Sequence, residues 1–124
     1  GLAPTTAAIG GDDRFAYLRI PPQGGDATRV ELRIGDASAN PYLLTCVALA
    51  AGRDGIERGL GEVPPVALPT SLGEALVALE EDEVIHAALG AELVQTIVAV
   101  KQRELQRFSQ AVTDWEWCEY ADHA

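Results

Sequence analysis

The chain has 124 residues, enough for one domain with a modest hydrophobic core. Its hydrophobic fraction of 48% excludes a disordered chain, and no apolar run approaches the length that spans a bilayer. The net charge of −10 argues against nucleic acid as the main partner, because phosphate binding needs a basic surface.

The first predicted elements are two strands. Residues 14–20 alternate and carry aromatic and β-branched side chains, a pattern typical of a strand. Residues 28–34 form the second strand, and the Pro- and Gly-rich residues 21–26 between them predict a turn. The simplest pairing is an antiparallel hairpin with a long tip. A two-stranded sheet is marginal alone, so we expect its edges to need partners.

The second strand separates charged from apolar side chains, because successive side chains of a strand point to opposite faces. One face carries Arg29, Glu31 and Arg33. Two guanidinium groups beside one carboxylate suit a polyanion held with a divalent cation, since guanidinium binds phosphate oxygens in pairs and hard cations prefer carboxylate. The alternative is a solvated strand face with a cross-strand ion pair. The opposite face, which can pack into a core, consists of Val30, Leu32 and Ile34.

The charges are unevenly distributed along the chain. Residues 1–35 hold four arginines against four acidic residues, whereas residues 36–124 hold five basic and fifteen acidic residues. In the first predicted strand, regular alternation puts Arg19 on the face opposite Arg14, where either an ion pair or a phosphate contact fits it. The arginine-rich opening therefore differs in character from the acidic body that follows.

The first predicted helix begins after Asn40. This residue is a predicted N-cap, and Pro41 occupies the first helical position, where its missing N–H costs nothing. Apolar residues recur at helical spacing from Leu43 to Ile56, which predicts a largely buried helix. Glycines and prolines between residues 59 and 65 end it.

Four more helices are predicted downstream, and side chains that cap the first turn mark three of them. The predicted helices are 72–80 (capped by Ser71 with Glu74), 83–89 (capped by Asp82), 91–111, and 114–120 (capped by Thr113 with Glu116).

Several other features are interpreted as structural. His86 and His123 have no metal-ligating partner one helical turn away. The acidic run at residues 80–83 is typical of a solvated helix start. Trp115 and Trp117 are expected to anchor the last helix by burying apolar area.

Cys46 and Cys118 lie in apolar surroundings far apart in the sequence, and nothing marks a secreted disulfide scaffold. We therefore expect buried free thiols and a cytoplasmic protein. The chain contains no methionine and opens on Gly-Leu-Ala-Pro, which favours a piece of a longer polypeptide.

A series of short motifs occurs in order over nearly the whole chain. They are Ala3-Pro4-Thr5, Asp13-Arg14, Arg19-Ile20-Pro21, residues 29–33, residues 36–43, residues 51–56, and residues 68–76. With their spacing, they resemble the C-terminal part of the catalytic domain of glutamine synthetase and its relatives. The run from Lys101 to Tyr120 is more similar to the γ-glutamylpolyamine and γ-glutamylputrescine synthetase-like branch.

The expected fold class is α+β. An antiparallel hairpin within residues 1–35 is followed by a helical layer over residues 36–124, and the resemblance implies that the hairpin belongs to a larger curved sheet. The resemblance also implies an ATP-dependent ligase. Such enzymes phosphorylate the γ-carboxylate of glutamate, and ammonia or an amine, polyamines included, then displaces the phosphate.

The resemblance also implies roles for individual residues. Glu31 matches a strand glutamate that ligates Mg²⁺ or Mn²⁺. Arg14 and Arg29 match arginines that hold nucleotide phosphates and the acyl phosphate. Arg33 matches an arginine near the substrate carboxylate, so that Arg14 and Arg33 are the expected catalytic residues. Asp13 stands where the family usually has Asn, which puts the detailed role of Arg14 in question.

One glutamate cannot build a two-metal site, so we expect the chain alone to be inactive. The family resemblance implies a homo-oligomeric parent, and the net charge and the lack of a long apolar run predict neither nucleic acid nor a membrane as a partner. The alternative is a stand-alone, non-catalytic regulatory or assembly module that binds through the exposed hairpin edge.

Overall fold

The computed structural model describes residues 3–61 and 64–121, and it confirms the α+β class. His123 and the opening residue Gly1 lie outside the described residues. The strands are β1 (Thr6–Ala7), β2 (Ile9–Gly10), β3 (Leu18–Arg19), β4 (Glu31–Leu32) and β5 (Val66–Ala67). The helices are α1 (Pro41–Glu57), α2 (Leu72–Glu81), α3 (Glu83–Leu89), α4 (Ala91–Ser109) and α5 (Asp114–Tyr120).

The predicted hairpin is present as the antiparallel pair β3–β4, and β2 extends it as a parallel neighbour of β3. The strands predicted over residues 14–20 and 28–34 are too long, because each contributes two residues to the sheet. A turn shortens the first strand: the side chain of Asp13 accepts a hydrogen bond from the Phe15 amide at 2.8 Å. The second sheet pairs β1 with β5 in antiparallel register, and this pairing was not predicted.

Gly10 brings the β2–β3 connection close to the sheet. A Cβ atom at this position would lie 2.7 Å from the Cβ of Ala16, closer than two carbon atoms can pack. Ala16 is 4% exposed, so it has little room to move away. The absence of a side chain at Gly10 therefore lets the 11–16 turn fold back over the strand.

Helix α1 begins as predicted. The side-chain oxygen of Asn40 accepts from the amides of Tyr42 and Leu43, which satisfies two N–H groups of the first turn. The prediction that this helix is largely buried is wrong, because none of its residues is buried. Among the described elements it packs mainly against α3, which covers one side of it.

The predicted caps of the later helices are observed, with one difference. Ser71 accepts from the Glu74 amide, but the Glu74 carboxylate returns to the amide and hydroxyl of Thr70, one residue earlier than expected. Asp82 caps α3 through the Ile85 amide. At α5, the reciprocal pair of Thr113 and Glu116 forms in full.

The described core is small and lies between α2 and α4. It consists of Leu76, Val94 and Val98, with Leu79 and Leu89 packed against it. Val94 is 1% exposed and is the best-buried side chain of this group. The core therefore holds α2, α3 and α4 together. These helices follow the charged strand β4 in the chain and contain none of its residues.

Two further burial predictions are wrong. Cys46 and Cys118 are free, as expected, but both are exposed. Trp115 and Trp117 are also exposed, although the ring of Trp115 makes an edge-to-face contact with Tyr120 at 6.2 Å between centroids. The physical reason is a lack of covering structure: α1, which carries Cys46, packs mainly against α3, and no described element packs extensively against α5.

The accessible surface of the chain is 9779 Å². A compact monomer of 13.1 kDa is expected to expose about 6,400 Å². Twenty large apolar side chains are among the exposed residues of the described chain. Within the described ranges, no single helix is long and apolar enough to cross a membrane; α3 and the segment Ala91–Tyr120 reach that length and composition only as a pair bent by 108°.

Candidate functional site

The register of β3 and β4 places Arg19 directly opposite Glu31. Side chains of directly paired residues lie on the same face of a sheet, within reach of each other. The Nη1 atom of Arg19 donates to Oε2 of Glu31 at 2.7 Å, which is the length of a charge-assisted hydrogen bond. The cross-strand ion pair considered from the sequence is therefore present, with Arg19 as the partner.

Arg29 approaches the other oxygen of the same carboxylate. Its Nε and Nη2 atoms both lie 3.0 Å from Oε1 of Glu31, and its Nη1 donates to the backbone oxygen of Ala27 at 3.3 Å. Arg29 precedes Glu31 by two residues, so the alternation predicted for this strand holds for this pair. Both oxygens of Glu31 thus carry an arginine.

Asp12, which lies in the connection between β2 and β3, also contacts Arg19. Its Oδ1 atom accepts from Nε of Arg19 at 3.1 Å and also pairs with Nη2 of the same guanidinium. Asp12, Arg19, Arg29 and Glu31 are called the Glu31 cluster below. Two positive and two negative groups alternate through it, so its formal charge is zero.

These contacts shift the acid–base behaviour of the cluster. Hydrogen bonds from Arg19, and then from Arg29, stabilise the carboxylate and hold the pKa of Glu31 below its ordinary value of 4.5. Hydrogen bonds to Asp12 and Glu31 raise the pKa of Arg19. Arg19 and Glu31 are therefore both ionised at neutral pH.

The other two predicted arginines stand apart from the cluster. Arg14 lies exposed in the turn between β2 and β3, and Arg33 is exposed just after β4. The amide of Arg33 donates to the backbone oxygen of Tyr17 at 2.9 Å, which extends the hairpin by one bond. Neither guanidinium forms an ion pair within residues 3–61 and 64–121, so both are free to bind an anion.

The apolar face predicted behind Glu31 is only partly covered. Leu32 is half-buried, but Val30 is 62% exposed and Ile34 is 41% exposed. The prediction that all three pack into a core is wrong for these two residues, because no described layer lies over that face of the hairpin.

The predicted metal ligand does not form a metal site in this arrangement. A divalent cation needs several oxygen or nitrogen donors around it. In the described part of the chain, no group of three His, Cys, Asp or Glu side chains is placed to supply them. Glu31 contributes one carboxylate, and arginines already occupy both of its oxygens.

Sequence reasoning gave Asp12 no role and left Arg19 undecided. The alternation within a single strand cannot show which residue of a neighbouring strand lies opposite Glu31. The sequence did contain one indication of this pairing. Arg19 precedes the centre of the hairpin by the same number of residues as Glu31 follows it. The contact of Asp12 with Arg19 could not be predicted without the turn that Gly10 permits.

Comparison with protein families gives one match over almost the whole chain. The model described as "Glutamine synthetase, catalytic domain" matches residues 1–120. This range contains the Glu31 cluster, Arg14, Arg33 and all five helices.

Individual relatives agree with that match. The glutamine synthetase of Thermus thermophilus is 40% identical over 95% of this chain. The glutamate–methylamine ligase of Methyloversatilis universalis is 37% identical over 97% of it. A solved structure described as a novel glutamine synthase homolog superposes with a TM-score of 0.78 at 35% identity, over 95% of this chain. The chain spans about 30% of the length of each of these proteins.

Proposed function

The chain belongs to the glutamine synthetase catalytic-domain family, and we propose that it forms the C-terminal segment of an ATP-dependent carbon–nitrogen ligase. In this proposal, the parent enzyme transfers the γ-phosphoryl group of ATP to the γ-carboxylate of glutamate, which gives an acyl phosphate, and ammonia or an amine then displaces the phosphate to form the amide. The observation that carries the proposal is the Glu31 cluster, together with the exposed residues Arg14 and Arg33, inside a chain of this family.

The exposed arginines supply the binding chemistry. Within residues 3–61 and 64–121, the guanidinium groups of Arg14 and Arg33 form no ion pair, and their planar forks match the oxygens of phosphate and carboxylate. Arg29 is half-exposed and can turn toward a phosphate from its place beside Glu31. Phosphoryl transfer depends mainly on positioning and on neutralising charge, which is what fixed cations beside the phosphate provide.

Arg19 has a different role, as a positioning residue. Its side chain is 16% exposed and is held by two carboxylates, Asp12 and Glu31. It therefore fixes the direction of the Glu31 carboxylate on the sheet. ATP and a divalent cation, Mg²⁺ or Mn²⁺, are part of the proposed activity of the whole enzyme, where the cation would neutralise phosphate charge.

We propose that this segment functions only as part of a larger structure. About 3,400 Å² of surface in excess of a compact monomer is comparable with the area buried in obligate assemblies. Large apolar side chains such as Phe15, Tyr42 and Trp115 lie in that surface. We therefore propose that the 124-residue chain alone is inactive, and that the parent is a cytoplasmic homo-oligomer.

The acceptor is proposed at the level of a chemical class. One relative is named a glutamine synthetase, and another is named a glutamate–methylamine ligase. Ammonia and alkyl amines, with polyamines as the longest members, are accordingly the acceptors to test.

The test is to identify the native polypeptide and assay it. An antibody raised against residues 91–121 would report its size and isolate it from the source cells. We expect a polypeptide several times larger than 13.1 kDa that releases phosphate from ATP when glutamate and an amine are both present. A native chain of 13.1 kDa without this activity would contradict the proposal and favour the regulatory or assembly module.

A further inference from the structure

An open cavity of about 350 Å³ lies between α2, α3 and α4. Polar side chains from all three helices line it, and apolar residues of α4 form one wall. The residues on which the argument depends are Glu80, His86, Gln95 and Gln102, with Val94 and Val98 in the wall. Ligand pockets typically have this size and combine apolar surface with a few convergent polar groups. The cavity shares no residue with the Glu31 cluster.

His86 brings an unsatisfied polar atom to this cavity. Its Nε2 atom is buried and has no hydrogen-bond partner within residues 3–61 and 64–121. The backbone of His86 is fixed, because its amide donates to the Asp82 oxygen at 3.0 Å and its oxygen accepts from the Gly90 amide at 2.9 Å. A buried polar atom without a partner is unfavourable, so it favours binding of a group that supplies one. The same imidazole ring lines the cavity, where a ligand can supply that partner.

Every polar side chain of the lining can accept a hydrogen bond. Glu80 has carboxylate oxygens, Gln95 and Gln102 have carboxamide oxygens, and a neutral imidazole has one accepting nitrogen. In the described part of the chain, none of these four side chains forms an ion pair or a hydrogen bond. The lining contains neither lysine nor arginine. A primary ammonium group has three donors and no acceptor, so it matches this set of acceptors.

The charge around the cavity also favours a cation. Glu80 is the first of four consecutive acidic residues, 80–83, and the whole chain carries a net charge of −10. The negative potential of such a surface attracts cations and repels anions. An organic cation with a short alkyl chain fits both parts of the cavity, because its ammonium group can face the acceptors while its alkyl chain lies along the apolar wall of α4.

We propose that the cavity between α2, α3 and α4 binds a small primary alkylammonium ion. Glu80 pairs with its charge, and His86, Gln95 and Gln102 accept hydrogen bonds from its N–H groups. The apolar wall of α4 contacts its alkyl chain. This inference concerns binding and is independent of the proposed function, because the cavity and its lining are the same whether or not the parent protein is a ligase.

The first test is an NMR titration of the 124-residue chain, in which the three helices pack around the described core. The probe is n-butylammonium chloride at constant ionic strength, and the signals followed are the His86 ring and the side-chain amides of Gln95 and Gln102. We expect these signals to shift together and to saturate. The neutral analogue 1-butanol should bind about fivefold more weakly, the upper range for an exposed ion pair. Equal binding of 1-butanol, or no saturating shift with n-butylammonium, would overturn the proposal.

The second test separates a specific ion pair from the general attraction of an acidic surface. Glu80→Gln removes the proposed partner of the ammonium group, and we expect n-butylammonium to bind about fivefold more weakly. The matched control is Glu81→Gln, which removes the same charge from an adjacent exposed residue that does not line the cavity. Binding to this control should equal binding to the wild-type chain. Equal weakening in both variants, or none in Glu80→Gln, would overturn the proposal.

The third test concerns the unsatisfied nitrogen itself. His86→Phe keeps an aromatic ring in place and removes both ring nitrogens. We expect weaker binding of n-butylammonium, with an unchanged circular dichroism spectrum as the control for folding. Binding as tight as in the wild-type chain would overturn the role of His86. If this variant does not fold, the comparison of Glu80→Gln with Glu81→Gln still decides the proposal, because both of those side chains are exposed.

Discussion

Arg19 on β3 lies directly opposite Glu31 on β4, and its guanidinium holds one oxygen of that carboxylate at 2.7 Å. The contact depends on strand register, because a slip of one residue would turn every side chain of β4 to the other face. Glu31 would then point away from both Arg19 and Asp12. The cluster therefore stays intact only while the register of the short β2–β3–β4 sheet is maintained.

Replacing Gly10 by Ala should loosen this sheet. The new Cβ would lie 2.7 Å from the Cβ of buried Ala16, and relieving that overlap typically costs about 1–3 kcal/mol. The check is hydrogen exchange of the Ile20 amide, which donates to the Gly10 carbonyl at 2.9 Å. We expect faster exchange in Gly10→Ala, whereas Gly11→Ala, where no atom lies within 4 Å of the added carbon, serves as the control.

Replacing Val94 by Ala should destabilise the helical layer. Val94 is 1% exposed, and removing two buried carbons and leaving a cavity costs about 2 kcal/mol. The measurement is urea unfolding followed by circular dichroism. Val100→Ala on the same helix is the control, because Val100 is 50% exposed. Equal losses for the two variants would show that the core is not where the structure places it.

Replacing Asn40 by Ala should weaken the start of α1. Its side chain accepts from the Tyr42 and Leu43 amides, and losing such an N-cap costs about 1 kcal/mol. Faster hydrogen exchange of these two amides would show the effect. Thr45→Ala, which removes only an exposed hydroxyl bonded to the Pro41 carbonyl, should leave them unchanged.

The cap of α5 should depend on pH in a defined direction. Hydrogen bonds from the amide and hydroxyl of Thr113 lower the pKa of Glu116 below its ordinary value of 4.5. A carboxyl whose pKa is lower in the folded state stabilises that state above its unfolded pKa. This stabilisation is lost as the pH falls from about 4.5 through the lower folded value.

The measurement for this cap is a pH titration of the Glu116 carboxyl carbon and of the Thr113 amide by NMR. Both signals should move together at a pH below the ordinary glutamate range. Glu116→Gln should remove the pH dependence of the Thr113 amide. Titration of Glu116 at or above 4.5 would contradict the cap as described.

The helices could be predicted from the sequence because their signals are local. Asn40, Asp82 and Thr113 each cap an amide two or three residues away, so the sequence alone contains both partners. The Glu74 carboxylate accepts from the amide of Thr70 and not, as was expected, from that of Ser71. The start of the helix is unaffected.

Burial and pairing could not be predicted in the same way. Whether Cys46 or Trp117 is buried depends on what lies over it, and the pattern within one helix does not contain that information. The pairing of β5 with β1 joins residues 59 and 61 positions apart, beyond any local pattern. The roles of Asp12 and Arg19 depend likewise on a register that alternation within one strand leaves open.

The most direct test of the central claim is a chimera. The C-terminal part of the Thermus thermophilus glutamine synthetase that this chain matches would be replaced by the chain itself, and glutamate-dependent phosphate release from ATP would be measured with ammonia and with methylamine. The account predicts activity that Glu31→Gln lowers by about a hundredfold, the usual loss for one preorganised charge at such a site. Glu57→Gln, on exposed α1, should leave activity unchanged. A folded chimera without phosphate release, or one in which Glu31→Gln is fully active, would contradict the account.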